Sequence, residues 1–270
     1  MSLFDTQKDV QMLRGADTSY KALSAASVTA VILVWLFATK YALLAKSVLP
    51  SPIEVADALI SLLQTPFAGA TLEQHITASL GRFFAGFLLA VALGVPVGLA
   101  MGWSRRFRYV VAPFFEAYRF IAPLAWVPFA ALWFGVGIGG PIMIVFSGAF
   151  AACVVNTFRG TRMTDVRLIE ASRTMGAGTW RMVTDVFIPS AAPSIMAGVR
   201  IAAALGWQSL IGAELIVASS GAGYLIVQGQ GSVETAIVMA GMVTIGFFGV
   251  LIDFILRLIE KRLCKNWSNL

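Results

Sequence analysis

Charged residues are scarce in this 270-residue chain: Asp, Glu, Lys and Arg make up 13% of it, about half of the roughly 25% usual in soluble globular domains. With 58% hydrophobic residues and a mean hydropathy of +0.81, its apolar surface exceeds what one core could hide from water. That excludes a soluble domain and points to an integral membrane protein. Histidine occurs once, at His75, and cysteine twice, at Cys153 and Cys264. One cysteine falls in an apolar stretch and the other in the C-terminal tail, so the pair suits neither a disulfide nor a metal-ligand spacing. His75 precedes the second apolar stretch and reads as a solvated or interfacial residue rather than a ligand. With no cluster of nucleophile, base or metal ligands, a membrane-embedded enzyme is disfavoured, and no catalytic or metal site is expected. A Gly-x-x-x-x-Gly-Lys-Ser/Thr loop is also missing, so the chain cradles no nucleotide in that manner and is expected to bind no cofactor. Energy from ATP, if used, must come through another subunit.

What is present is a series of long apolar runs. Because backbone polar groups must be satisfied inside hydrocarbon, the fold expected is all-α, and each pass needs about 20 predominantly apolar residues. Lys21 to Lys40 encloses one candidate span and Arg82 to Arg105 a second. No formal charge occurs between Arg119 and Arg159, which allows two passes if the Gly-rich run Gly135 to Pro141 turns the chain. The third span then starts near Tyr109 and the fourth runs from about Pro141 to Phe158. Ala191 to about Ser219 makes a fifth, and Thr235 to about Ile255 a sixth. The reading is therefore about six spans: an N-terminal segment 1–25, a membrane domain 26–258 with a loop at 159–190, and a tail 259–270. The N-terminus shows no early apolar core with a small-residue cleavage site, so the first span is expected to be retained.

The basic residues orient these spans. Lys8, Arg14 and Lys21, then Arg105, Arg106 and Arg108, then Arg159, Arg162, Arg167, Arg173 and Arg181, then Arg257, Lys261, Arg262 and Lys265 all fall on one face. The other face has only Lys40 and Lys46 near its first loop. Both termini and the 159–190 loop are thus expected in the cytoplasm. The formal charge of +6 follows from this bias and calls for no nucleic-acid partner. Gly94, Gly98 and Gly102 in span two, and Gly198, Ala202 and Gly206 in span five, present small faces for close helix packing.

The loop from Arg159 to Pro189 is a charged island between greasy stretches. Asp165 is placed to cap a short helix on which Leu168, Ala171, Ser172 and Met175 fall at helical spacing, and Gly176 to end it. Thr179 is placed to cap a second short helix, with Trp180, Val183 and Phe187 on one face and Pro189 turning back to the membrane. Such a knob suits a groove on a neighbouring protein.

The order Glu170-Ala171-Ser172, three residues, Gly176, nine residues, then Val186-Phe187-Ile188-Pro189 resembles the EAA coupling loop of bacterial ABC importer permeases. Similarity extends through Leu49-Pro50-Ser51-Pro52, Ser79-Leu80-Gly81-Arg82, Pro123-Leu124-Ala125-Trp126-Val127-Pro128, Gly212-Ala213-Glu214 and Ser220-Gly221-Ala222-Gly223 to the sulfonate, taurine, nitrate and bicarbonate branch. The resemblance implies the type I importer permease fold, a pair of ABC ATPase subunits engaging Leu168, Glu170, Ala171, Ser172, Met175, Gly176 and Pro189, a solute-binding protein, a second permease copy making a homodimer, and the bacterial inner membrane with its lipid. Its cargo would be a small anion. Two prolines usual in that branch are replaced in Arg119-Phe120-Ile121-Ala122-Pro123, and Gln208 is more polar than the branch leads one to expect.

Polar residues inside spans need partners or water. Candidates for the translocation pathway are Arg119, Trp126, Gln208 and Glu214. For Arg119 the alternative is a structural pair with Glu116 one turn earlier; for Glu214, a gate, a contact with the outer binding protein and a structural hydrogen bond all stand; Trp126, Trp133 and Trp207 read first as packing or interfacial anchors and second as lining of the path. A gradient-driven secondary transporter is the rival to the ATP-driven reading, although no clear internal repeat is present.

Overall fold

The computed structural model describes residues 23, 25–41 and 49–263. Lys8, Arg14 and Lys21 of the N-terminal segment, Lys46 of the first loop and the tail from Cys264 on lie outside the described residues. Among the described residues no β-strand occurs, only an isolated bridge between Phe67 and Ala70. The helices are α1 (Ala25–Lys40), α2 (Pro52–Gln64), α3 (Leu72–Trp103), α4 (Arg105–Arg119), α5 (Val127–Phe134), α6 (Gly139–Arg162), α7 (Val166–Thr174), α8 (Thr179–Met182), α9 (Ile188–Val217), α10 (Ala222–Gly231) and α11 (Thr235–Leu263).

Among the described residues four helices are long and apolar enough to cross a membrane: Leu72–Trp103, Gly139–Arg162, Thr179–Val217 and Thr235–Arg262. A fifth crossing is available if α4 and the Pro123–Phe134 segment, bent by 90°, count as one. The apolar α1 is shorter than these. The expected third span is therefore broken rather than straight. Pro123 explains the break: the residue before a proline is pushed out of the helical region, and Ala122 has φ −58°, ψ 137° before the 3₁₀ turn Pro123–Trp126. The second span also differs from its expected limits, because α3 starts ten residues before Arg82 and carries that charge inside the helix. Thr71 and Gln74 start it with a capping box, satisfying two of the amides that a helix start leaves free. At the far end α11 runs past residue 258 to Leu263.

Helix α6 is the centre of the bundle. Helix α3 runs parallel to it, with Gly86 against Val145, Gly94 against Cys153, Gly98 against Thr157 and Gly102 against Thr161. Helix α9 runs antiparallel on another side, with Gly148 against Ser209, Gly198 against Asn156 and Gly160 against Ser194. A glycine every four residues lies on one helical face and lets another helix come close, so the small faces expected in α3 and α9 are met by side chains of α6. The core between the three holds Phe83, Phe87, Val145, Ala149, Cys153, Ala202, Trp207 and Leu210. Phe83 stacks on Phe87 at 5.3 Å and meets Trp207 edge-on at 5.5 Å. A smaller cluster of Val55, Leu62, Leu72, Leu225, Ile237 and Ala240 fastens α2 and α10 to the start of α11.

A Cβ at Gly98 would lie 2.7 Å from both the Thr157 Cβ and the Val154 carbonyl, too close for either side to yield cheaply. Gly98→Val is expected to lower stability by about 1–3 kcal/mol, read as a reduced thermal unfolding midpoint in detergent. Gly81→Ala, where nothing lies within 4 Å, should leave the midpoint unchanged or raised.

Candidate functional site

Three groups of residues carry chemistry beyond packing. The first is the knob between α6 and α9. Asp165 accepts a hydrogen bond from the Arg167 amide at 2.9 Å and starts α7. At the other end Gly176 adopts φ +75°, its amide donates to the Arg173 carbonyl at 3.0 Å and the Ala177 amide to the Ser172 carbonyl at 3.0 Å. These paired bonds around a left-handed residue close a helix by the Schellman pattern, which favours glycine. Helix α7 has no buried residue. Leu168 is 52% exposed, Met175 87% and Trp180 77%, an unusual amount of uncovered apolar surface for a loop rich in arginine. Glu170 and Ala171 are exposed and Ser172 half-buried. Its hydroxyl donates to the Leu168 carbonyl at 2.8 Å.

Beyond Gly176 the knob departs from expectation in three ways. Gly178, not Thr179, stands at the N-cap of α8, with no side-chain cap bond. Pro189 does not turn the chain, because Thr179–Val217 is one continuous helix of 39 residues. The five-residue π-helical segment Val183–Phe187 is the reason: the Ile188 amide reaches back to the Val183 carbonyl, and the wider turn runs on into α9 with Pro189 near the junction. The same widening shifts the register, so Trp180 stays exposed while Phe187 is buried.

The second group is a buried polar junction on the side opposite the knob. Glu214, 1% exposed near the end of α9, accepts from Ser79 Oγ at 2.8 Å, Arg82 Nη1 at 2.9 Å and the Gly223 amide at 3.0 Å. Arg82 also donates to the Ser220 carbonyl through Nη1 and to Ser220 Oγ through Nη2 at 2.7 Å. The Ala222 amide donates to Ser79 Oγ at 2.9 Å, and the Gly221 amide to His75 Nδ1 at 3.1 Å. His75 Nε2 lies 3.1 Å from the Phe67 carbonyl, which assigns the ring proton to Nε2. His75 is thus fully buried and bonded at both nitrogens, not solvated as expected. Gly221, at φ +119°, leaves no room for a Cβ beside the Glu214 carboxylate. Of these residues, sequence reasoning made only Glu214 a site candidate; Ser79 to Arg82 and Ser220 to Gly223 entered as parts of the family resemblance. Arg82 was given no partner there, although two opposite charges set into apolar runs were a signal that they meet.

The third is a cavity of about 350 Å³ where the end of α4, the 3₁₀ turn, α6 and α9 face one another. Arg119 and Gln208 both line it; Trp126 and Glu214 do not. Arg119 ends α4 rather than lying mid-helix. Its Nε sits 2.6 Å from Glu116 Oε2, and its guanidinium lies 4.9 Å from the Phe120 ring centre. Trp126 lies tilted against Tyr118 and Phe129, with its indole Nε1 buried and without a partner among the described residues. Trp207 is core, donating to the Ile245 carbonyl at 3.2 Å, and Trp133 is exposed. Also unforeseen is an ionic brace between α9 and α11: Arg200 meets Glu260 at 2.8 Å and Asp253 at 3.4 Å, and Arg257 meets Asp253 at 2.6 Å.

Removing one partner of a buried ion pair strands the other charge. Glu214→Leu is therefore expected to cost about 3–5 kcal/mol, visible as a sharp fall in folded protein recovered from membranes. Adding Arg82→Met should recover part of that loss, because the orphaned cation is then gone.

Comparison with known proteins agrees with these features. The family described as "Binding-protein-dependent transport system inner membrane component" matches residues 90–265, more than half of the chain. The taurine transport system permease protein TauC of Escherichia coli (strain K12) is 33% identical over 242 residues, covering 89% of this chain and 88% of that protein. A putative aliphatic sulfonates transport permease protein, SsuC of Bacillus subtilis (strain 168), is 31% identical over 239 residues, covering 88% and 85%. The nitrate import permease protein NrtB of Synechocystis sp. is 28% identical, covering 79% of each. Among solved structures, an inward-facing form of the MetNI methionine ABC transporter superposes with a TM-score of 0.63 at 21% identity, over 71% of this chain and 95% of that one, which makes the fold that of a type I ABC importer permease. An all-α bundle of apolar helices, a capped knob between α6 and α9 and these matches together place the chain in the family of inner membrane components of binding-protein-dependent transport systems.

Proposed function

We propose that two copies of this chain form the translocation pathway of an ATP-driven importer in a bacterial inner membrane, with a pair of ABC ATPases bound to the knob and an outer solute-binding protein delivering a small anion. The observation that carries this reading is the knob itself: a helix with no buried residue, Leu168 and Met175 uncovered and both ends closed by Asp165 and Gly176. Leu168, Ala171, Ser172 and Met175 supply apolar area and close approach, and Glu170 has no ion pair among the described residues, so it is free for a partner's donor. The excess of Lys and Arg on the knob side puts that side, and both termini, in the cytoplasm, where an ATPase is found. A dimer is the natural assembly because α3 and α9 close directly on α6 through glycines, which leaves the pathway to be enclosed between two copies. The anionic cargo is suggested by the names of the relatives and by Arg119 and Gln208 at one cavity; Trp126 and Glu214 would support the pathway from behind its wall.

Closure of the ATPases would draw the two knobs together, and the rigid continuation of α8 into α9 would carry that displacement into the membrane. Glu170→Ala is expected to reduce ATP-driven uptake at least about tenfold while leaving the helices folded, since removing a hydrogen bond to a charged group costs about 1.5–3 kcal/mol. Gly176→Pro should dissociate the ATPase, because proline holds φ near −65° where the turn needs +75°. Affinity purification of the tagged chain with its partners, followed by uptake in proteoliposomes, reads both effects. Full ATP-driven uptake in both variants would refute the coupling assignment, and uptake by the chain alone without ATP would establish a gradient-driven carrier instead.

A further inference from the structure

The cavity beside Arg119 has an uneven wall. Ile121, Pro123, Leu124 and Leu205 make most of it apolar. Of its polar members, Tyr118 spends its hydroxyl on the Ser147 carbonyl at 3.4 Å, and Ser209 on the Leu205 carbonyl at 2.7 Å. Arg119 and Gln208 are different. Among the described residues the Arg119 guanidinium has its ion pair with Glu116 through Nε, yet its Nη1 and Nη2 groups make no hydrogen bond, and neither does the Gln208 amide. The Ser147 hydroxyl, also in the lining, is likewise without a hydrogen bond among the described residues, so three unspent polar groups face one small, mostly apolar space. The cavity's roughly 350 Å³ lies at the small end of ligand sites, which run from about 300 to 1,000 Å³ and combine apolar walls with a few placed polar groups.

Resting on the importer reading, we infer that this cavity is a low-affinity station for a small organic anion, whose charged headgroup meets Arg119 and Gln208 and whose compact apolar body lies against Ile121, Pro123, Leu124 and Leu205. The wall decides against a bare inorganic anion. Nitrate needs hydrogen bonds around its whole edge, and the apolar wall would leave most of its oxygens unsatisfied after dehydration. An alkyl body needs none and gains from leaving water. Glu116 sets the strength. Its carboxylate at Arg119 Nε holds the pair near zero net charge, so an incoming headgroup competes with it and leaves readily, as passage requires. Gln208 also borders a second cavity, of about 290 Å³, lined by Arg200, Trp207 and Asp253. There Arg200 is already spent on Asp253 and Glu260, so the second space offers an anion no comparable hold.

The test uses the purified permease–ATPase complex without its binding protein, titrated with butane-1-sulfonate, sodium nitrate or butan-1-ol at matched ionic strength, with thermal unfolding as the readout. Butane-1-sulfonate is expected to raise the unfolding midpoint saturably, and nitrate and butanol to leave it flat. Arg119→Ala should weaken the apparent affinity about ten- to a hundredfold. Glu116→Gln should strengthen it severalfold, an opposite sign that a merely structural pair would not produce. Should Arg119→Ala fail to fold, Arg119→Lys, which keeps the charge but loses the planar fork, is expected to weaken binding, and Glu116→Gln still carries the comparison. A saturable nitrate response equal to that of butane-1-sulfonate, or an affinity indifferent to both the position 116 and 119 substitutions, overturns the inference. Retention of the ATPase and ATP-dependent uptake are measured in the same preparations. Their loss in the unsubstituted complex would count against the importer reading, whereas intact uptake with flat titrations would count against this station alone.

Discussion

Helices in hydrocarbon gain nothing by burying leucine against leucine, since lipid is as apolar as the partner; they associate where their surfaces come close enough for many weak contacts. In this protein α6 supplies the surface on which the others close. Helix α3 sets Gly86, Gly94, Gly98 and Gly102 along one side of it, and α9 meets it at Gly148, Gly160 and Gly198. Side chains at these glycines would force the helices apart, and the aromatic core of Phe83, Phe87 and Trp207 would open with them. Every other feature is mounted on this three-helix block.

At one end of the block the polar junction ties α3 to α9 and to the Ser220–Gly223 turn ahead of α10. Its logic is mutual satisfaction: Glu214 could not be buried without Arg82 and Ser79, and the turn's amides at 221, 222 and 223 would be orphaned without His75, Ser79 and Glu214. At the other end the knob is left uncovered. Because α8, the π-helical segment and α9 form one continuous helix, the knob and the junction are the two ends of a single lever. The cavity wall at Leu205, Gln208 and Ser209 lies between them. In an importer driven from the knob, a displacement there would alter this wall while the junction holds the far end.

Local signals were legible wherever the answer depends on neighbours in the chain. Asp165 and Gly176 marked the ends of α7 because a cap and a left-handed stop act over one turn, and charge-free runs marked the long helices because hydrocarbon thickness sets their length. Two local signals misled. Pro189 reads as a helix breaker, but a π-helical turn just before it absorbs the missing bond. Arg82 reads as a boundary charge, but it lies inside α3, because Glu214 waits for it 132 residues later.

From its own order of residues, then, the chain settled its solvent, its helices, its basic face and the knob, since composition, periodicity and capping are properties of short stretches. Tertiary structure alone decided the pairing of Arg82 with Glu214, the burial of His75, the brace from Arg200 to α11 and the meeting of Arg119 with Gln208 at one cavity. Each of these joins residues on separate segments of the fold. Which face of one helix meets which face of another is set by the packing of the whole bundle, and no short stretch of sequence contains it.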